Sequence, residues 1–259
     1  MLTGKTPAAS TRHYMVLWAD RPDQGKPGLV LPARGGLWQP DSSTVAAETY
    51  RLRLEDGMLV DVAAQHRCQA GAPFISKLML SSQATGWTDE PGTVERCQVI
   101  ATGPARTLIA VRKALHAGVV YEKTYAFYAR RFDVAVSLNK HSGLPSRAYY
   151  VQPGQYVDNA GNRAAVDGHG NDEGVLGKNA NPLWYAVYAD RWAHSCVGLS
   201  RFNGMTYWDA GGSWGGIGFN TPALQGVRMS YVVHPGAKDA RFAEEDYRQL
   251  TTPPQARWE

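Results

Sequence analysis

Residues 119–138 read VVYEKTYAFYARRFDVAVSL, and this stretch decides the fold class. From Phe132 to Leu138, apolar residues alternate with small or polar ones. Side chains of a strand point to opposite faces in turn, so the pattern places one face in a core and the other toward water. A helix would need apolar residues spaced by three and four. We predict two consecutive strands, or one strand bent near Arg130 and Arg131, in a large antiparallel sheet.

The rest of the chain continues this pattern. A hairpin is predicted at residues 48–54 and 58–63, around the turn signal Glu55-Asp56-Gly57. Residues 95–102 and 106–115 form a second predicted pair. The further predicted strands are residues 13–19, 29–38, 74–80, 184–189, 194–199, 205–208, 215–219 and 227–234.

Two polar segments, residues 81–92 and 158–178, are predicted loops. The one amphipathic helix covers residues 239–250, with Asp239 as its cap and Ala240, Ala243, Tyr247 and Leu250 on one face. Short turns with no helix between strands favour antiparallel pairing. The fold class is therefore all-β: a large antiparallel two-sheet β-sandwich with one short C-terminal helix. A single domain over residues 1–259 is predicted.

Composition excludes several classes of protein. The net charge of +4 is spread without a Lys/Arg run, so a nucleic-acid partner is not predicted. No 18-residue apolar run exists for a membrane span, and the N-terminus does not read as a signal peptide. The cellular location stays open, and it is extracellular or periplasmic if a longer parent chain carries an export signal. The three cysteines, Cys68, Cys97 and Cys196, allow one disulfide plus a free thiol, or three buried thiols, which we favour.

Residues 95–112, ERCQVIATGPARTLIAVR, and the strands that follow resemble galactose-mutarotase-like supersandwich domains. Such domains occur in polysaccharide lyases, some glycoside hydrolases and sugar epimerases. The resemblance covers about half of the chain and implies the sandwich fold and a role with carbohydrates. Aldose mutarotases also carry two His residues and a late Glu in defined motifs. That set has no counterpart here, since Asn162-Arg163 lies in a different part of the chain, so mutarotase activity is not predicted.

Catalytic residue types occur between residues 141 and 173. Polyuronide lyases need a base, a group that neutralises the substrate carboxylate, and a proton donor. His141, Arg147, Tyr149 and His169 supply these types and are the predicted catalytic residues. The alternative stays open: a loop histidine is often solvated, and Tyr149 belongs to a strand in which one of two adjacent rings enters the core.

Substrate-binding residues are predicted among the aromatic and basic side chains. Trp208 and Trp214 bracket a short glycine-bearing link, which favours exposure, although both rings could instead pack under the link. Arg131, Trp192 and His194 are the other predicted sugar contacts, with Arg131 facing an anionic polymer. Surface ion pairing is the alternative role for Arg131.

A calcium site is the cofactor hypothesis. The segment of residues 158–173 is rich in oxygen ligands among glycines, and Asp158, Asp167 and Asp172 are its predicted metal ligands. Asp, Asn and Gly are also ordinary turn residues, and the spacing matches no EF-hand, so a plain loop is the alternative.

Three function hypotheses follow. The preferred one is a carbohydrate-recognising β-sandwich domain, a module of a polysaccharide lyase or related enzyme, because no complete catalytic set is visible. Its partners would be a polysaccharide or oligosaccharide and a catalytic domain of the same parent chain. The second is a stand-alone lyase or epimerase acting on a uronic-acid-containing saccharide. The third is a structural domain without a ligand.

Overall fold

A computed structural model of the chain describes residues 36–40, 43–55, 57–62, 75–82, 86–89, 92–103, 105–114, 118–139, 146–150, 154–166, 179–210, 214–221 and 226–252. One helix, α1 (Arg241–Thr251), lies within these residues. The eighteen strands within them are β1 (Leu37–Gln39), β2 (Thr44–Ala46), β3 (Arg51–Glu55), β4 (Met58–Val62), β5 (Ile75–Ser82), β6 (Gly86–Asp89), β7 (Thr93–Thr102), β8 (Thr107–Ala114), β9 (Val120–Phe127), β10 (Arg131–Leu138), β11 (Ser146–Tyr150), β12 (Gly154–Asp158), β13 (Arg163–Val166), β14 (Trp184–Ala189), β15 (Trp192–Gly198), β16 (Gly204–Ala210), β17 (Trp214–Asn220) and β18 (Val227–His234).

The strands form three sheets. The large sheet has nine strands in the order β13-β12-β14-β15-β18-β10-β9-β8-β7. A four-stranded sheet has the order β1-β2-β3-β4, and a five-stranded sheet has the order β16-β17-β11-β5-β6. Every strand pair within the described residues is antiparallel. The predicted all-β antiparallel sandwich with one C-terminal helix is confirmed, and residues 119–138 form two strands, β9 and β10.

The core lies on one face of the large sheet. Four residues that pair across neighbouring strands form one row on that face: Phe132, Tyr231, Cys196 and Tyr185. Both smaller sheets reach this row, since the Tyr50 ring centroid lies 5.6 Å from that of Phe132, and the Phe219 centroid lies 5.5 Å from that of Tyr185. These six side chains are all buried within one apolar cluster. The two smaller sheets therefore make the second layer of the sandwich, with burial of large rings as the main stabilising term.

The predicted hairpin of β3 and β4 turns at Gly57. The backbone φ of Gly57 is 75°, a conformation that favours glycine. A Cβ atom at this position would lie 2.4 Å from Val111 Cγ1 in the large sheet. The carbonyl of Gly57 also accepts a hydrogen bond of 3.1 Å from the Tyr125 hydroxyl. The turn thus holds the four-stranded sheet against the large sheet. It requires glycine because its φ is positive and because a Cβ atom would clash with Val111.

The helix α1 covers the opposite face of the large sheet. Ala243 and Asp246 are its buried residues, and Asp239 accepts a hydrogen bond of 3.1 Å from the backbone N–H of Arg241. Asp246 Oδ2 accepts a hydrogen bond of 2.7 Å from Ser195 Oγ and lies 2.7 Å from His234 Nε2. The predicted helix is confirmed, but its N-cap is Ala240, and the buried carboxylate on its inner face was not predicted.

Other boundaries differ from the sequence predictions. The strands β6 and β13 lie inside segments predicted as loops, and the predicted strand at residues 13–19 lies outside the described residues. Cys196 is buried but Cys97 is exposed on β7, so the prediction of three buried thiols is wrong for Cys97. In the part of the chain that the structure describes, no helix has the length and apolarity that a membrane crossing requires.

Candidate functional site

The alternation of residues along β17 distinguishes the two faces of the five-stranded sheet. Its sequence WGGIGFN places Ile217 and Phe219 on one face, and both are buried in the core, 0% and 1% exposed. Successive strand residues alternate in direction, so Trp214, Gly216 and Gly218 belong to the opposite face. We call this face, which is turned away from the core, the outer face.

Backbone pairing extends the outer face across three further strands. Trp208 of β16 pairs with Gly216, Gly216 pairs with Tyr149 of β11, and Tyr149 pairs with Ile75 of β5. Directly paired residues of a sheet share a face. Trp208, Gly216, Tyr149 and Ile75 therefore form one line across the sheet, the aromatic row.

The next line, two residues further along each strand, carries positive charge. Thr206 pairs with Gly218, Gly218 with Arg147, and Arg147 with Lys77. We call these four positions the cationic row. Gly218 is itself buried.

Strand geometry gives the dimensions of this surface. Neighbouring strands lie about 4.8 Å apart, so the Cα atoms of Trp208 and Tyr149 are roughly 10 Å apart, with Gly216 midway. The two rows are separated by about 7 Å, the rise of two strand residues. Gly216 and Gly218 therefore form a strip without side chains, flanked by both rows, and Trp214 lies two residues beyond Gly216 on the same strand.

The register brings together four of the predicted site residues. Arg147, Tyr149, Trp208 and Trp214 all belong to the outer face. Two residues that were not predicted as site residues join them: Lys77 in the cationic row, and Trp87, which pairs with Ser81 of β5 two rows beyond Lys77. The alternation of glycine with Ile217 and Phe219 in β17 was the sequence signal that could have identified the strip.

Arg131 lies elsewhere, on the face of the large sheet opposite the core. Its guanidinium carbon lies 4.2 Å above the centroid of the Tyr128 ring, and its Nε lies 3.3 Å from Asp133 Oδ1. Its side chain is 25% exposed. Arg131 is thus held by a ring and a carboxylate at the start of β10, as the ion-pairing alternative predicted, and it does not join the outer face.

Trp192 and His194 belong to β15 of the large sheet. The Trp192 ring is half-buried, and a Cβ added to Gly154 would lie 3.0 Å from it, so it packs closely over β12. His194 is 2% exposed, with its ring between those of Trp192, Tyr185 and Tyr231. Burial lowers the pKa of His194 to about 3, so the imidazole is neutral at physiological pH. The structure places His194 within the core rather than on a surface that a glycan reaches.

Asp158 organises the turn between β12 and β13. Its carboxylate is 3% exposed and accepts hydrogen bonds from the backbone N–H groups of Ala160 and Asn162, the Asn162 side chain and the Tyr156 hydroxyl. This is the ordinary turn role of aspartate. Within the described ranges no group of three or more His, Cys, Asp or Glu side chains converges as metal ligands do. The other predicted ligands, Asp167 and Asp172, lie outside the described residues, as do His141 and His169.

The comparisons with known proteins first define a class of fold. Solved structures share the large antiparallel sandwich. A quadruple mutant of the α-N-acetylgalactosaminidase NagBb from Bifidobacterium bifidum matches with a TM-score of 0.58 and 13% identity, over 80% of this chain and 38% of NagBb. Ligand-free NagBb gives a TM-score of 0.53 and 14% identity over the same shares. At these identities the likeness shows the fold alone.

A putative aldose 1-epimerase from Escherichia coli K12 also matches, over 74% of this chain and 98% of its own, but its TM-score of 0.38 and 10% identity carry no argument. No protein-family model matches the chain, and neither does any curated protein. The chain spans less than half the length of NagBb. NagBb is not a polysaccharide lyase by name, so the predicted sandwich fold is shared with a solved structure and the lyase link is not shown.

Proposed function

We propose that this chain is a carbohydrate-recognising β-sandwich domain of a larger carbohydrate-active enzyme, and that the outer face is its binding surface. The observation that carries the proposal is the register that sets Trp208 and Tyr149 on either side of Gly216. The fold supports this proposal, because NagBb, the solved structure with the highest TM-score quoted above, is named as a glycosidase.

The chemistry of the aromatic row fits a sugar ring. The faces of a pyranose carry C–H groups and stack on indole or phenol rings, while its hydroxyl groups need polar partners at the edge. Gly216, between the two aromatic positions, has no side chain that would keep a sugar ring from the backbone. Thr206 and Asn220, on the same face of neighbouring strands, are polar residues within one or two rows of Trp208.

The finer assignment to a polysaccharide lyase or a related enzyme rests on the resemblance of residues 95–138. The accessory role rests on the share of NagBb that the chain covers, 38%, which matches a portion of that enzyme. In this role the domain holds the polymer, and a second domain of the same parent chain performs the reaction.

Affinity electrophoresis against a panel of polysaccharides tests the proposal, with ultraviolet absorbance recorded in parallel for unsaturated uronate. We expect retention by at least one polymer and no rise in absorbance. Trp208→Ala should weaken retention by up to roughly tenfold, because one stacked ring contributes about 0.5–1.5 kcal/mol. Trp184→Ala, a half-buried tryptophan in the large sheet, is the matched control and should leave retention unchanged. A panel without any retention would contradict the proposal.

The second candidate function is a stand-alone lyase or epimerase. It is favoured by one observation, that Arg147 and Tyr149 share the outer face at adjacent rows. In that case the absorbance should rise with a uronate polymer, and His169→Ala should abolish the rise. Such a result would overturn the role of a pure binding module.

A further inference from the structure

We propose that the strand β7 is the interface through which two copies of this chain associate, by antiparallel pairing of β7 with β7 of the second copy. The interface belongs to the nine-stranded sheet, so the inference does not depend on the glycan-binding role of the outer face. The large sheets of the two copies then continue into one another across a twofold axis.

The strand β7 is an open edge of the large sheet. It pairs with β8 on one side, and no described strand pairs with its other side. None of its ten residues is buried, whereas four residues of the neighbouring β8 are. Ile100 is 51% exposed and is one of two exposed large apolar residues in the described part of the chain. A long edge with unpaired backbone groups is a template for pairing with another strand.

Two β-bulges interrupt this edge. Glu95 and Ile100 are the extra residues, since neither has a partner in the register with β8. Bulges at an edge hinder pairing with an ordinary strand, because they change the spacing of the backbone groups along it. A partner that pairs along the whole of β7 therefore needs irregularities that match these two.

The register also gives the backbone groups that point to the open edge. At the hairpin end of β7, the N–H of Gly103 donates a hydrogen bond of 3.1 Å to the carbonyl of Arg106. In an antiparallel ladder, hydrogen-bonded pairs alternate with pairs whose N–H and C=O groups point away from each other. Followed back from Gly103 through both bulges, this alternation directs to the open edge the groups of Thr102, Val99, Cys97 and Val94.

The spacing of these four residues is the same when it is read in either direction. The intervals between them are three, two and three residues. A second β7 that runs antiparallel therefore opposes all four, with Val94 opposite Thr102 and Cys97 opposite Val99 of the second copy. An ordinary strand presents its groups every two residues and matches only the central two. The hydrogen-bonding pattern of this edge is thus complementary to itself.

The side chains fit the same register. The twofold axis passes through Gln98, so the two carboxamides face each other and can exchange hydrogen bonds. Arg96 lies opposite Ile100 of the second copy, and Glu95 lies opposite Ala101, so no like charges are directly opposed. The aliphatic stem of Arg96 can cover the exposed Ile100. Each bulge of one copy meets the other bulge of its mate.

The size of the contact sets the expected strength. The paired residues, Val94 to Thr102, span about 30 Å along an edge that is roughly 10 Å deep, so both copies together bury on the order of 600 Å². Interfaces of this size are weak. We therefore expect a dimer that forms as concentration rises rather than a permanent one.

Sedimentation velocity of the intact chain between roughly 1 μM and 1 mM tests the association, and we expect a shift from monomer to dimer over this range. Gln98→Arg places two positive charges directly opposite each other and should raise the dissociation constant roughly two- to fivefold. The matched control is Ala101→Arg, which adds the same charge at another exposed position of β7, opposite Glu95 of the second copy, and should not raise it. A chain that stays monomeric at about 1 mM would overturn the proposal.

Disulfide cross-linking tests the register. Val99→Cys sets a new thiol opposite Cys97 of the second copy at a Cα separation of about 5.5 Å, which suits a disulfide. Val94→Cys is the matched control, because its thiol faces Thr102 instead. Both variants carry Cys68→Ser so that this thiol does not react. Mild oxidation with diamide should yield a covalent dimer from Val99→Cys above the level that Val94→Cys gives. Equal yields from the two variants would overturn this pairing.

Discussion

His194 shows that the chemical type of a residue does not by itself say where the fold places it. This histidine, at the start of a predicted strand, was predicted to contact sugar, and its imidazole is buried among aromatic rings. The reason is that β15 is covered on both faces, by the core on one side and by α1 on the other, so five consecutive residues are buried. A strand that is buried on both faces shows no alternation of apolar and polar residues, so its sequence does not reveal which face a polar residue belongs to.

Burial of a neutral histidine gives a pH dependence with a definite sign. The pKa of His194 is lowered from 6.5 to about 3 in the folded protein. As pH falls below about 6.5, the unfolded chain binds a proton that the folded chain does not, so the free energy of unfolding decreases. The decrease from this residue approaches about 1.4 kcal/mol per pH unit.

The measurement is urea unfolding of the wild type and of His194→Leu at several pH values between 7 and 4.5. Because the variant lacks the titrating group, its stability should fall less steeply, and the difference between the two proteins should shift in favour of the variant as pH decreases. Parallel stability profiles would contradict the assignment of His194 as a buried neutral residue.

Among the elements, α1 depends on one carboxylate. Asp246 is 2% exposed and meets Ser195 and His234 on two neighbouring strands of the large sheet. The helix also makes an apolar contact, in which the buried Ala243 and the half-buried Phe242 pack with Tyr188 of the large sheet. The polar contact adds direction to this apolar packing and helps to fix the position of the helix on the sheet.

Asp246→Ala should therefore lower the free energy of unfolding by about 1–3 kcal/mol for each of the two polar partners that it leaves buried without an acceptor. Glu245→Ala removes an exposed carboxylate from the adjacent position and should change stability by no more than about 0.5 kcal/mol. Chemical denaturation followed by circular dichroism measures both. Equal effects of the two substitutions would show that the buried contact does not hold the helix.

Strands with a strong alternation of apolar and polar residues were predicted well, and strands that form only through pairing with an adjacent strand were not. The alternation in residues 119–138 gave β9 and β10, and residues 227–234 coincide with β18. The strands β6 and β13 are four residues long and mostly polar or small, and their pairing comes from β5 and β12. Lys123, which is 2% exposed, lies over the rings of Tyr121 and Tyr125, a burial that the polar character of lysine would not predict.

At the scale of the whole molecule, topology decides which predicted residues meet. The strand β11 pairs with β17 and β5, both distant in sequence, and this places Tyr149 in line with Trp208. The strand β15 pairs with β14 and β18 in the large sheet, so Trp192 and His194 lie in a different sheet from Tyr149 and Trp208. Residue types alone suggested candidate site residues, but only long-range strand pairing could divide these candidates between two sheets.

The central claim is that the outer face of the five-stranded sheet is where a glycan binds. Hydroxyl-radical footprinting, read by mass spectrometry with and without the best-retained polysaccharide, tests it most directly. We predict that the ligand reduces oxidation of Trp208 and Tyr149, while Trp184 in the large sheet is unaffected. Protection of Trp184 or Trp192, with Trp208 and Tyr149 oxidised equally in both samples, would contradict the claim.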